Sequence, residues 1–291
     1  MSRHVTAGLD GSPESLAAAE WGAREAMLRD VPLRLVHAWK SQPYTKAPLG
    51  GVMRRPYGDE AEENWSQRLL HEAESQLLSR HSGLRISVDE VTEEPVGVLL
   101  GAAREAEVLV LGSRGLGRLA GYLLGSVSLA VVARAERPVV LVRASEESAS
   151  GDVVVGVDTA HPAEALLEFA FDAAARRETR LRVVHNWSLT REYFGREGAL
   201  TQSAKDRIDE ELMVRLGDLL HPWHQKHPGV AVTGEAVVGK PGSFLVEESR
   251  NAALVVVGRK KRAAAVGAHI GPVTQSVLHH AHAPVAVIAH D

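Results

Sequence analysis

The chain has 291 residues, 45% hydrophobic and 24% charged, with a formal net charge of −4 and no cysteine. That is ordinary globular composition, and the length suits about two domains of ~100–200 residues each. The balance of charge offers no global attraction to nucleic acid or anionic lipid, and the missing thiols exclude disulfides, thiol catalysis and cysteine-based metal sites together. No apolar run approaches the ~18 residues of a membrane span. Met1-Ser2-Arg3 leads directly into a strand pattern. A cytoplasmic protein is expected, with neither membrane nor nucleic acid as a partner.

The first apolar run is Val5–Leu9, ending at Asp10. Ser12-Pro13-Glu14 then reads as a helix start, with Ser or Asp at the cap and Pro in the first turn. Further runs follow at Leu33–Ala38, Leu84–Val91, Val108–Leu111 and Val139–Val142. Between the second and third lies Ser41 to Tyr57, rich in Pro and Gly and without periodicity. A loop of that length in a compact domain is usually functional or disordered, and this one leaves the carboxyl end of a strand, where open α/β sheets bind ligands. Ala61, Trp65, Leu69, Ala73 and Leu77 then recur every fourth residue, as on one face of a helix.

After a polar linker, Ala144–Asp152, the pattern repeats. Val5–Asp10 returns as Val153–Asp158, Leu35-Val36-His37-Ala38-Trp39 as Val183-Val184-His185-Asn186-Trp187, and Pro138-Val139-Val140-Leu141 as Pro284-Val285-Ala286-Val287. The remaining second-half runs are Leu181–Val184, Val230–Val237, Leu254–Val257 and Val285–Ile288, and Ala204, Ile208, Leu212, Leu216 and Leu220 supply its helix stripe. Continuous apolar runs fit strands covered on both faces, and their alternation with helices implies right-handed βαβ units. The expected fold is α/β: two tandem, doubly wound, Rossmann-like domains over 1–146 and 151–291, each a five-stranded parallel sheet with helices on both faces.

The chemistry concentrates after Val108–Leu111. Gly112-Ser113-Arg114-Gly115-Leu116-Gly117-Arg118 runs on to Gly125-Ser126-Val127-Ser128, where a helix begins. Glycines permit close backbone approach, exposed N–H groups form an anion nest, and Ser126 and Ser128 add hydroxyl donors for phosphate oxygens or a metal-bound water. The spacing is neither Gly-x-x-x-x-Gly-Lys-Ser/Thr nor Gly-x-Gly-x-x-Gly. Arg114 and Arg118 serve equally well as solvated charges or as phosphate contacts.

Gly112-x-x-Gly115, nine residues, then Gly125-Ser126 resembles the ATP-binding motif of the universal stress protein family. The resemblance covers nearly the whole chain, once per half, and includes Gly8-Leu9-Asp10-Gly11-Ser12-Pro13, Leu35-Val36-His37 and Pro138–Arg143. It implies ATP as ligand, with or without Mg2+, and a role in stress adaptation or dormancy. It also implies that Asp10 lies beside the nucleoside, that the Ala38 backbone meets adenine, and that Gly112, Gly115, Gly125, Ser126, Val127 and Ser128 wrap the phosphates. The corresponding second-half set is Asp158, Gly258, Gly271 and Thr274. That half departs from the pattern: Lys261 stands at the place of Gly115 and Pro272 at that of Ser126. Proline removes an N–H and a hydroxyl, while Arg259, Lys260, Lys261 and Arg262 offer charge instead, so a weakened second site is expected.

No second carboxylate, base or nucleophile recurs beside Asp10 and Asp158, so ligand binding is favoured over acid–base work and any ATP hydrolysis should be slow. Two rival readings stay open: a slow ATP-cleaving enzyme, and a nucleotide-free interaction or dimerisation module. His37 and His185 read as core histidines with satisfied rings, and Trp39 and Trp187 as structural. His279, His280 and His282 end a helix without the spacing of a metal site. The last strand of each half is an apolar edge, so the two halves are expected to pair through these strands and the chain to form a homodimer.

Overall fold

The computed structural model describes residues 3–40, 59–114, 124–144, 151–187, 202–261 and 270–291. The Ser41–Tyr57 loop, Gly115, Arg118, Arg262 and most of the linker lie outside the described residues. The contacts divide the chain into two units, Met1–Ala144 and Ser145–Asp291.

In the first unit the order is β1 (Val5–Leu9), α1 (Pro13–Arg29), β2 (Leu33–Ala38), α2 (Asp59–Arg80), β3 (Ile86–Val91), α3 (Pro95–Glu105), β4 (Val108–Gly112), α4 (Ser126–Val132) and β5 (Val139–Val142). All neighbouring strands are parallel, in the order β3-β2-β1-β4-β5, with Val5 opposite both Leu33 and Val108. The chain therefore winds outward from β1 in one direction, then returns to start again at β4. A crevice opens where the order reverses, at the carboxyl ends of β1 and β4. α1 and α2 pack on one face of the sheet, α3 and α4 on the other. Leu33, Leu35, Leu109 and Val110 are wholly buried between these layers, each worth about 1.5–3 kcal/mol against exposure.

The second unit repeats this with β6 (Asp152–Val157), α5 (Glu164–Arg177), β7 (Leu181–Trp187), α6 (Gln202–Lys226), β8 (Val232–Val238), α7 (Pro241–Glu248), β9 (Ala252–Lys260), α8 (Pro272–His280) and β10 (Val285–His290). Its strands are parallel in the order β8-β7-β6-β9-β10. One ion network recurs in both units. Arg34 of β2 binds Asp89 on β3 and Glu105 on α3, the latter at 2.8 Å, and Arg182 of β7 binds Glu235 on β8 at 2.9 Å and Glu248 on α7. Burial works against the charge on Arg34, but its two carboxylates prevail and raise its pKa; Glu235 foremost does the same for Arg182.

The α1 start follows the sequence signal. Ser12 is the N-cap, its Oγ accepting from the Ser15 N–H at 3.2 Å, with Pro13 in the first turn. The strand starts differ from the apolar runs. β3 begins at Ile86 and β8 at Val232, because the N–H groups of Leu84 and Val230 are taken by turn carbonyls at His81 and His227. Both side chains are buried. Asp152 belongs to β6, so the linker is shorter than its composition implied. Among the described residues no helix is long and apolar enough to cross a membrane.

Candidate functional site

The first-unit crevice is a cleft of about 170 Å3. β1 supplies Asp10 at its carboxyl end, β2 supplies Ala38, β4 supplies Gly112, and the start of α4 supplies Gly125, Ser126, Val127 and Ser128. Asp10 is held by the turn into α1: its Oδ1 accepts from the Ser12 N–H at 3.0 Å and from the Ser12 Oγ at 2.6 Å. The α1 N-cap thus also fixes a carboxylate on the cleft wall. Gly125 is the N-cap of α4 and brings no side chain to its first-turn N–H groups. A helix leaves those donors without intrahelical partners, and a Ser or Asp cap would have claimed one. The residues that carry these donors, Ser126, Val127 and Ser128, line the cleft.

Two residues read from sequence as ligand contacts have structural tasks. The Ser128 hydroxyl donates to the Gly112 carbonyl at 2.7 Å, pinning α4 to the end of β4. Its proton is therefore spent, and the donor it brings to the cleft is its backbone N–H. At Gly112 a Cβ would lie 2.8 Å from the backbone of Glu14 and of Ser15. The glycine is required for the close approach of β4 to α1, whatever the cleft holds. Arg114 lies 3.0 Å from Glu14 as a charge contact without hydrogen-bond alignment at Nε. His37 donates its Nδ1–H to the Leu9 carbonyl at 2.7 Å, but its Nε2 is buried without a partner, edge-on to Trp65 at 5.5 Å. The expected satisfied ring is satisfied on one side only. Trp65 also covers Gly11, whose φ of +81° admits few side chains and whose missing Cβ would come within 2.8 Å of the indole.

The second-unit cleft is larger, about 480 Å3, and lined differently. Asp158, Gly258 and Thr274 meet there, whereas Gly271 caps α8 outside the lining. Thr274 repeats the Ser128 bond, donating to the Gly258 carbonyl at 2.7 Å. Pro272 occupies the first helical position, so α8 offers one N–H fewer. Asp158 is more open than Asp10: it accepts from the Ala160 N–H at 2.9 Å and meets the His161 Nδ1 at 3.2 Å. Burial pushes its pKa up, but the Ala160 bond and the imidazoles of His161 and His185 outweigh this and hold it below the usual value. Of the basic run, Lys260 lines the cleft, Arg259 is buried, and Lys261 pairs with Asp291 at 3.5 Å.

A profile of the Universal stress protein family matches residues 1–143 and again 150–289. The chain belongs to the universal stress protein family. A universal stress protein of Mycobacterium tuberculosis strain H37Rv is 36% identical over 294 residues, covering 97% of this chain and 96% of its own. A second from the same strain is 33% identical over 296 residues, covering 97% and 95%. Among solved structures, a universal stress protein from Archaeoglobus fulgidus DSM 4304 superposes with a TM-score of 0.67 at 18% identity over 100% of both chains, a likeness that concerns the fold. Both halves thus carry the universal stress protein fold, and their clefts occupy the same place in it.

Several lining residues had no part in the sequence reading. Pro95 and Leu99 of α3 wall the first cleft, and Pro241 and Leu245 of α7 wall the second. Their recurrence in both copies was the available signal, obscured because the residues between them differ. His185 was read from sequence as the repeat of His37 and Lys260 as part of the basic run, but their place beside His161 and Asn186 in the second cleft was not. Only placement reveals it.

Proposed function

We propose that the protein binds adenine nucleotide, with ATP held in the first cleft, as a nucleotide-dependent regulator of the stress response that its family name denotes. The observation that carries this reading is the side-chain-free cap at Gly125. It leaves the N–H groups of Ser126, Val127 and Ser128 without a side-chain cap, on residues that line a crevice also lined by Asp10. Backbone donors of this kind suit phosphate oxygens, and a carboxylate suits ribose hydroxyls. Volume alone would favour the second cleft. The first is preferred because it keeps the donors that Pro272 removes from the second. A cleft of about 170 Å3 encloses only part of a nucleotide, so the phosphates lie at its mouth along α4.

The Ser126 hydroxyl remains for phosphate or for water on Mg2+ arriving with the nucleotide. Among the described residues no group of three His, Asp or Glu side chains is gathered to hold a metal by itself. Asp10 is bonded to Ser12 and Glu14 is paired with Arg114, so neither is placed as a general base, and binding outweighs turnover in this reading. Titration of the full chain with ATP tests it: an Asp10→Ala variant that stays folded should bind ATP at least about fivefold more weakly, the loss of one good hydrogen bond. Unchanged ATP affinity in that variant would overturn the assignment.

A further inference from the structure

A cavity of about 450 Å3 lies between the start of α5 and the last turns of α6, and it shares no residue with either cleft. Its size suits a small molecule. Leu167, Leu219 and Trp223 give it an apolar lining. Trp223 is half-buried and stacks on Phe171 at 5.6 Å. The equivalent places in the first unit hold Leu77 and Ala23. His81 and His227 close matching turns on Leu77 and Trp223, while Ala23 and Phe171 stand equally far along the chain from Asp10 and Asp158. The aromatic pair belongs to the second unit alone, so the shared fold does not require it.

The charged groups around this cavity leave negative charge unbalanced. Glu164 and Asp218 line it and have no ion pair or hydrogen bond among the described residues. Pro222 stands inside α6 and lacks the N–H that would meet the Asp218 carbonyl one turn earlier, which leaves another acceptor without its usual donor. Lys226 also lines the cavity, but Glu168 neutralises it at 3.0 Å, and its ammonium sits 5.1 Å over the Trp223 ring. The ring therefore already attracts one ammonium. A single ammonium on an exposed carboxylate is held weakly, so a ligand gains most by engaging both carboxylates while burying hydrocarbon between them. We propose that this cavity binds an aliphatic polyamine, its chain along Leu167, Leu219 and Trp223 and its ammonium groups on Glu164 and Asp218. The site is separate from the clefts, and it stands or falls independently of nucleotide binding.

Calorimetric titration of the full chain at about 0.15 M salt tests this, because screening there suppresses loose attraction to an acidic protein. Spermidine should bind. Putrescine should bind at least about threefold more tightly than n-butylamine, which has the same carbon chain and one ammonium fewer. Glu164→Gln and Asp218→Asn should each weaken spermidine about three- to fivefold. Glu210→Gln, which alters an exposed α6 carboxylate outside the cavity, should leave spermidine binding unchanged. Lys226→Gln should tighten spermidine binding, since it frees Glu168 and the Trp223 ring for the ligand, an outcome that loss of packing would not produce. Absence of spermidine binding would overturn the inference, as would equal affinity for putrescine and n-butylamine. Equal weakening by all three carboxylate substitutions would overturn it too, by showing a diffuse charge effect. Tighter binding of an end-blocked trilysine peptide, which carries the same charge as spermidine, would replace the small ligand with a protein segment and so also overturn it.

Discussion

Asp10 and Asp158 end equivalent strands, yet their surroundings set them to different tasks. The turn into α1 gives Asp10 two bonds from Ser12, which itself caps the helix. Ser12→Ala should therefore cost about 1 kcal/mol of stability, read by urea denaturation, and also weaken ATP binding by releasing the carboxylate. An effect on stability alone would show that Asp10 needs no such orientation. Asp158 faces His161 instead, and its folded pKa lies below the ordinary value of 3.8. Its contribution to stability is thus fully present above that value and fades as pH falls through the depressed one. The stability difference between the unaltered chain and Asp158→Asn should be small, since the carboxylate is mostly solvent-exposed, and should shrink as pH falls below 3.8 through the depressed pKa. A difference that grew toward acid would contradict the sign of the shift. The aspartates were legible in the sequence because they end apolar runs. Their partners were not, since hydrogen bonds from Ser12 or His161 depend on turn geometry that composition does not encode.

At the scale of elements, the same strand–helix junction is built twice with different tolerance. A methyl group at Gly112 would strike the backbone of α1, which cannot yield without moving the helix, whereas one at Gly258 would strike the His290 imidazole, which can rotate. Gly112→Ala should cost about 1–3 kcal/mol and Gly258→Ala distinctly less, as measured by denaturation of each variant. Equal costs would mean that the α1 contact relaxes more readily than its geometry implies. The strands were legible because both faces of each sheet are covered, which forces unbroken apolar runs. Their starts were not, because Leu84 and Val230 continue the apolar pattern while their N–H groups close turns. The glycine motif was legible too, but its meaning was mixed. Gly112 answers to packing and Ser128 to the β4 carbonyl, which leaves Gly125, Ser126 and the α4 backbone for the proposed phosphate contacts.

Over the whole molecule, duplication explains why the fold could be read twice from one sequence and why the ligands could not. Repeated residues such as Arg34 and Arg182 hold sheet to helix in both units. Unrepeated ones, Trp65 over Gly11 and Asn186 in the second cleft, make the clefts unlike. The sharpest difference is the residue after the cap of the helix that follows the fourth strand: Ser126 in one unit and Pro272 in the other. The two caps nevertheless share extended backbone, with ψ of 140° at Gly125 and 157° at Gly271, which is the conformation proline demands of its predecessor. Ser126→Pro is therefore compatible with the fold while removing one N–H and one hydroxyl from the first cleft. Calorimetric titration of ATP into this variant and the unaltered chain tests the central claim. Binding should weaken about tenfold or more, as for the loss of a hydrogen bond to a charged group, with stability unchanged. Equal ATP affinity in the two folded proteins would contradict a phosphate site at the start of α4.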